Sequence, residues 1–339
     1  MEPIFSICIP TYNRAEIIGS TIDKIVHDKY FDDRVELVIS DNKSTDGTAE
    51  IVKKYTQKYP NVKYFCNEEN VRDKNFWIAL NHATGKYLKL QNDYYAFTEN
   101  GLGLILNKIE QYEGKNIFFT NDNIHTMKVK SDLQGSGIND YMRIVSSYAT
   151  CINNFGIWRE DLKLIQNPFR FNEFMLNQVD WTYQLITCKP EFVIINDKVN
   201  SVSQRVSHQS IKRHVKYNWF QVHIQNYFDI LYNYMDSQFV NQISPNGEVL
   251  TKETIHKDKD NCIRHFHNDF NIAFVCPLEN YDFDKKVSSK ILLKYCGDIP
   301  RLYLYYASIP FLYLVYPLVL LRYRDNPIKR FAARVVKGE

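Results

Sequence analysis

Ile4-Phe5-Ser6-Ile7-Cys8-Ile9-Pro10-Thr11-Tyr12-Asn13-Arg14, read together with Val35-Glu36-Leu37-Val38-Ile39-Ser40-Asp41-Asn42-Lys43-Ser44-Thr45-Asp46-Gly47-Thr48, decides the class of the fold. Each stretch opens on a short apolar run, at 4–9 and 35–39, of the length and composition of a buried strand. Pro10 ends the first run, and a polar loop closes the second. Residues 15–27 then carry Ile17, Ile18, Thr21, Ile22 and Ile25 at helical spacing, and 48–59 also read as helix. Further along, strands are expected at 62–66, 87–90 and 117–119. Helices are expected at 73–83, where Phe76, Ile78, Ala79 and Leu80 form the apolar side, and at 102–109. Strand and helix in alternation predict an α/β fold, a Rossmann-like, mostly parallel sheet flanked by helices. Beyond residue 215 the expectation is a mainly helical region, beginning with the aromatic stretch 215–239.

In an open parallel sheet the ligand sits beyond the carboxyl ends of the strands. The loops there read Pro10-Thr11-Tyr12-Asn13-Arg14, then Asp41-Asn42-Lys43-Ser44-Thr45-Asp46-Gly47, then Gln91-Asn92-Asp93-Tyr94-Tyr95. Neither a G-x-G-x-x-G turn nor a Walker loop follows the first strand, so phosphates must be held by side chains or by a metal. Asp41 leaves the second strand in a good position to accept hydrogen bonds from a ribose or a base, or else to close a turn or cap a helix. Asp46-Gly47 reads as turn chemistry followed by a capped helix.

Composition narrows the class. Hydrophobic residues make up 45% and charged residues 24%, as in ordinary folded proteins. The aromatic share is 14%, with 24 Tyr and 21 Phe, which suits either stacking on sugars and bases or an aromatic-heavy core. A net charge of +3, with no basic stripe along the first 200 residues, argues against a nucleic-acid partner. The seven cysteines are scattered without a C-x-x-C, which reads as reduced thiols in a cytosolic setting. Cys262, His265 and His267 lie close together but are too few on one short segment for a zinc site. The sequence opens directly on a strand, so no signal peptide is expected.

The two quoted stretches resemble family 2 glycosyltransferases, whose first strand ends in P-T-Y-N-R and whose second ends in D-N/D-x-S-T-D-G-T. Asn70-Val71-Arg72-Asp73-Lys74-Asn75-Phe76 and Gly85-Lys86-Tyr87 are similar to the family's N-x-G-x-x-x-N and G-K/D-Y segments, with Arg72 in place of the glycine. The resemblance covers about residues 1–205 and looks closest to the O-antigen and capsule branch that includes abequosyltransferases. It implies a GT-A fold over 1–214, with a nucleotide-sugar half at about 1–120 and an acceptor half at about 121–214. It also implies that Pro10, Thr11 and Asn13 line the nucleotide pocket, that Asp41 contacts base or ribose, and that Arg72 or Asp73 borders the nucleotide.

At the end of the fourth strand the family carries two or three acids that bind a divalent cation, Mn²⁺ or Mg²⁺, on the donor diphosphate. Asp93 stands there with tyrosines behind it, so the resemblance makes Asp93 the metal ligand, with Asn92 as its helper. Without a metal, the leaving group calls for cations, and the basic loop 201–214 offers Arg205, His208, Lys212 and Arg213, unless it is an exposed helix start. Inverting members take their general base from a carboxylate at the start of a later helix. Asp180 in Asn177-Gln178-Val179-Asp180-Trp181 fits that place, with Glu173 as runner-up and a helix cap or surface ion pair as the plainer reading. Trp181 stacks on a sugar or packs in the core, and Phe155 and Trp158 are expected in the core.

Residues 302–321 carry no charge but include Pro310 and Pro317, and a basic tail follows, with Arg322, Arg324, Lys329, Arg330, Arg334 and Lys337. A segment lying on the cytoplasmic leaflet suits this pattern better than a buried hairpin or a spanning helix. The expectation is therefore a hexosyl- or deoxyhexosyltransferase on the inner face of the cell membrane. Its donor is a nucleotide-sugar and its acceptor a lipid-linked oligosaccharide. The rival outside enzymes is a catalytically silent subunit that binds nucleotide-sugar. A sugar-nucleotide pyrophosphorylase would need a G-x-G-T-R loop after the first strand, which is absent.

Overall fold

The computed structural model describes residues 2–121, 132–203 and 221–259. The chain divides into two units, one of 1–207 with 226–255 and one of 208–225 with 256–339. The segments 204–214 and 302–339, and with them the basic loop and the membrane-associating stretch, lie outside the described residues.

Five strands form the main sheet in the order β3-β2-β1-β4-β8. They are β1 (Phe5–Thr11), β2 (Val35–Asp41), β3 (Val62–Cys66), β4 (Tyr87–Leu90) and β8 (Gly156–Trp158). The first four run parallel, and β8 closes the edge antiparallel to β4. Every residue of β1 and β2 is buried, as expected of parallel strands covered on both faces. Strand β1 runs on through Pro10 to Thr11, past the expected end at Ile9. Its pairing with β4 stops at Cys8↔Leu90, so from Ile9 onward one flank is open and a missing N–H costs no ladder bond.

Alternate side chains go to opposite faces, and each face meets its own helices. Phe5, Ile7 and Ile9 pack with Ile18, Ile22 and Ile25 of α1 (Ile18–Val26), Val52 of α2 (Thr48–Lys58) and Leu102 and Ile105 of α4 (Gly101–Gln111). Cys8, Val38, Leu88 and Leu90 pack with Ala79 and Leu80 of α3 (Lys74–His82) and Trp181 and Leu185 of α6 (Asn177–Cys188). Trp181 is fully buried between Trp77 and Phe155 and donates its indole N–H to Pro168 O at 2.8 Å, so it belongs to the core. Phe155 and Trp158 are buried as expected.

Two smaller sheets complete the unit. Strand β6 (Asn116–Phe119), expected in the main sheet, instead pairs with β9 (Glu191–Ile195), which also pairs with β7 (Leu133–Ser136). Tyr141 of α5 (Ile138–Val145) packs edge-on against Phe118 and Phe192 of this sheet. The strand beside β4 is β8 instead. Strands β5 (Tyr95–Phe97) and β10 (Asn200–Val202) form an antiparallel ribbon. Residues 226–255 belong to the same compact unit as 1–207. Tyr227, Phe228, Ile230 and Leu231 of α7 (Tyr227–Asn233) and Val240 of α8 (Ser237–Ile243) are buried.

A buried acid ties the sheet together at its amino end. Glu36 accepts hydrogen bonds from Ser6 Oγ at 2.6 Å, Gly85 N at 3.0 Å and Thr84 Oγ1 at 2.9 Å, and also from Thr84 N and Lys63 Nζ. Gly85 has to be glycine, because a Cβ there would run into Ser6 Oγ and the Phe5–Ser6 backbone. Burial pushes the Glu36 carboxyl up, but Lys63 and the Ser6 and Thr84 bonds outweigh it and hold the group below its ordinary value. The unfolded chain then binds more protons, so this stabilisation is complete above about pH 4.3 and is lost as pH falls through the lower folded value. Glu36→Ala is expected to cost roughly 3 kcal/mol in urea unfolding at pH 7, since it strands buried donors. It should also flatten the acid limb of the stability–pH curve relative to wild type.

Candidate functional site

The loops that leave β1 and β2 hold each other in place. Thr11 and Asp41 are register partners, so the two loops start side by side. Asn13 turns the first loop at φ 52° and accepts from Thr45 N at 2.8 Å. The Asn13 N–H donates to Ser44 Oγ at 2.8 Å, Arg14 N to Thr48 Oγ1 at 2.8 Å, and Ala15 N to Asp46 Oδ2 at 3.0 Å. In the second loop Gly47 sits at φ 88° as the N-cap of α2, with no side-chain cap, and Asp46 Oδ1 accepts from Thr48 N at 3.1 Å, a turn closed by its own side chain. The serine, threonine and aspartate pattern is thus the set of acceptors that backbone N–H groups of both loops require.

Asp41 is fully buried beneath this clamp. Its Oδ1 accepts from Ser44 N at 2.9 Å and Ser44 Oγ at 2.6 Å, and its Oδ2 from Tyr64 OH at 2.7 Å. A carboxylate offers about four lone-pair sites, so these three bonds leave Asp41 one short of saturation. Next to it, Asn42 carries the loop before α3. Its Nδ2 donates to Asn70 Oδ1 at 2.8 Å and Arg72 O at 3.1 Å, and its Oδ1 accepts from Val71 N at 2.9 Å and Asn67 Nδ2 at 3.1 Å. Arg72 takes φ 53°, the left-handed region that favours the glycine it replaces, and its side chain is exposed. Asp73 follows half-buried; its carbonyl accepts from Phe76 N at 3.2 Å, and its carboxyl accepts no hydrogen bond from a described residue. Burial pushes its carboxyl up to about 6, against the neighbouring Arg72.

Asp93 closes the group from the β4 side. It is 6% exposed and accepts from Thr11 Oγ1 at 3.0 Å. Arg14 Nε lies 3.2 Å from each of its carboxylate oxygens. Burial raises the proton affinity of Asp93, with Arg14 and Thr11 acting in opposition. Tyr94 O accepts from Ser203 N at 2.8 Å and from Ser203 Oγ at 2.9 Å, so the β5–β10 ribbon brings Ser203 back to the residue next to Asp93.

A divalent cation wants several hard oxygen ligands. Here Asn92, Tyr94 and Tyr95 flank a single acid already bonded to Thr11 and Arg14, and no three His, Cys, Asp or Glu side chains converge among the described residues. Among the described residues this is a poor donor set for Mn²⁺ or Mg²⁺, with Asp93 its single acid. Arg205, His208, Lys212 and Arg213 lie outside the described residues.

Pro10, Thr11, Asn13, Asp41 and Asp93 thus come together at the carboxyl ends of β1, β2 and β4, with Arg72 and Asp73 joined through Asn42. Sequence reasoning passed over Arg14. The signal was a lone acid at the end of β4 with no second acid beside it, which when buried needs a cationic partner.

Asp180 shares no hydrogen bond with this group. It is 1% exposed on α6, and Arg170 grips it with Nε to Oδ2 at 2.9 Å and Nη2 to Oδ1 at 2.6 Å. Tyr234 OH donates to Oδ1 at 2.5 Å and Gln184 Nε2 to Oδ2 at 2.8 Å. Burial raises its proton affinity, opposed by Arg170, Tyr234 and Gln184. Arg170 and Asp180 thus form a buried ion pair, where the plainer expectation was a surface one. Glu173, the runner-up, is exposed in a short turn.

Residues 6–158 match the model of glycosyl transferase family 2. Abequosyltransferase RfbV of Salmonella typhimurium is 33% identical over 104 residues, which is 30% of this chain and 31% of that protein. The match therefore spans about a third of the relative's length. A Methanococcus voltae protein, dolichyl N-acetyl-alpha-D-glucosaminyl phosphate 3-beta-D-2,3-diacetamido-2,3-dideoxy-beta-D-glucuronosyltransferase, is 24% identical over 234 residues, 62% of this chain and 69% of that one. Among solved structures, S. aureus TarS 1-349 in complex with UDP-GlcNAc superposes with TM-score 0.50 at 17% identity, covering 89% of this chain and 80% of that one. The fold is that of GT-A-like glycosyltransferases.

Asn42→Ala removes four hydrogen bonds that fix the 67–73 loop. It is expected to lower stability by about 2 kcal/mol and to speed amide hydrogen exchange at Val71, read by mass spectrometry. Unchanged exchange there would show that Asn42 does not hold the loop.

Proposed function

We propose that this chain is a glycosyltransferase that moves a hexosyl or deoxyhexosyl group from a nucleotide-sugar onto a lipid-linked glycan in bacterial O-antigen or capsule assembly. The observation that carries the reading is the pair of interlocked loops beyond β1 and β2, with Asp41 and Asp93 beneath them, in a stretch that matches the family 2 model. Such a fixed polar floor suits a nucleoside diphosphate, because its groups need no reordering when the ligand arrives. The abequosyltransferase relative supports the surface-polysaccharide setting, and the dolichyl-linked relative supports a lipid-borne acceptor. The UDP-GlcNAc complex of the structural neighbour supports a nucleotide-sugar donor only through the shared fold.

In this reading the acceptor hydroxyl oxygen attacks the anomeric carbon, its bond to the diphosphate oxygen breaks, and that electron pair leaves with the diphosphate, inverting the configuration. The hydroxyl proton passes to Asp180, the base of this mechanism. Because both Asp180 oxygens are bonded, Arg170 or Tyr234 must release one as the acceptor enters. Thr11, Asn13, Asp41, Arg72 and Asp73 hold the nucleotide, and Arg205 and His208 cover the donor. The chain sits on the inner face of the cell membrane through 302–339. No described helix is long and apolar enough to cross a membrane.

Two measurements test the reading. In a thermal-shift panel of UDP, GDP, CDP, dTDP and their common sugars, one nucleotide class should raise the melting temperature, since a ligand of the folded state stabilises it. With a transfer assay in hand, Asp180→Asn should lower kcat by more than about 10²-fold with nucleotide affinity kept. A silent binding subunit would show the melting shift with no transfer by wild type. If Asp180→Asn lowers stability but leaves turnover per folded molecule intact, Asp180 is an anchor for Arg170 and not the base.

A further inference from the structure

We infer that Arg14, docked on Asp93, is the resident cation that receives the donor diphosphate, so this site binds nucleoside diphosphates without a divalent metal. The inference rests on the nucleotide-sugar reading above and concerns how that same site neutralises its ligand.

The Arg14 side chain is only 16% exposed, and only its Nε is engaged, by Asp93. Neither Nη nitrogen donates to a described residue, and neither is sealed from solvent. An arginine held in this way keeps its planar edge of N–H donors for another acceptor, and that fork matches phosphate oxygens. By contrast, Arg170 spends its donors on Asp180 and on Tyr234 OH at 3.0 Å. These two buried arginine–carboxylate pairs thus differ in kind, one closed and one open.

Position supports the same assignment. The Arg14 backbone is pinned by its N–H to Thr48 Oγ1 at 2.8 Å, at the foot of the interlocked loops. Its side chain reaches across to the loop after β4, so it lies beyond the carboxyl ends of β1 and β4, where ligands of open α/β sheets bind. Charge supports it too. Asp93 is the one acid of its loop, and paired with Arg14 it presents no net negative charge to a diphosphate. Asp93 is then a positioning residue: with Thr11 it fixes the direction of the guanidinium.

The test is calorimetric titration of the 339-residue chain with UDP, GDP, CDP and dTDP, each in EDTA and in Mn²⁺, and with the matching nucleosides. The expected result is the same affinity for the preferred diphosphate in EDTA and in Mn²⁺. Arg14→Gln should weaken diphosphate binding by about 10- to 100-fold and leave nucleoside binding unchanged, since a hydrogen bond to a charged group is lost. Arg14→Lys, which keeps the charge but not the fork, should fall between Arg14→Gln and wild type. Asp93→Asn should weaken binding in EDTA and in Mn²⁺ alike. Circular dichroism melts confirm that each variant is folded. Binding that vanishes in EDTA and returns with Mn²⁺ overturns the inference and leaves the proposed function standing. Diphosphate affinity that is unchanged in folded Arg14→Gln also overturns it. If no nucleotide binds under either condition, the proposed function falls first and this inference with it.

Discussion

Backbone N–H groups at the start of the first loop take their acceptors from side chains of the second. Asn13 N finds Ser44, Arg14 N finds Thr48 and Ala15 N finds Asp46, while Asn13 returns its side-chain carbonyl oxygen to Thr45 N. Neither loop can keep its shape alone, because each would leave polar groups of the other unpaired near a buried floor. The parallel pairing of β1 with β2 sets the register that makes this exchange possible. Asp41, Asn42 and Arg14 take their places from it, and through them so do Tyr64, the 67–73 loop and Asp93.

Charge inside the unit is handled by local pairing. Glu36 is surrounded by donors and is kept ionised in spite of burial. Asp180 is saturated by Arg170, Tyr234 and Gln184, a network that joins α6 to the turn after α7. Asp93 is paired more loosely, through one nitrogen of Arg14. A buried ion pair with spare donors is costly unless something else accepts from it. That asymmetry separates a closed pair, whose carboxylate must shed a bond before it can take a proton, from an open pair with donors to spare.

Much of the sheet was legible in the sequence. The runs at 4–9, 35–39, 62–66 and 87–90 are short and largely apolar, and their alternation with helices has few alternatives to a buried parallel sheet. The placement of Ile117-Phe118-Phe119 was not legible, because which strand lies beside β4 depends on the later antiparallel return of β8. The same holds for 226–255, whose aromatic residues announce burial without saying against what. At the site, Asp41 and Asp46 could be read as acceptors from their place after a strand and before a helix. The partnership of Arg14 with Asp93 spans most of the nucleotide half and has no local signature. Asp180 could be found by its position at a helix start, but its bonds come from Arg170, Gln184 and Tyr234, which only the folded chain assembles.

The central claim is that the interlocked loops form the donor site, and hydrogen–deuterium exchange with and without the preferred nucleotide-sugar tests it most directly. Protection is expected at residues 11–15, 42–48, 70–75 and 92–95, with the β6-β9-β7 sheet unaffected. Protection that spares those four segments and appears elsewhere, while the nucleotide-sugar demonstrably binds, would contradict the account.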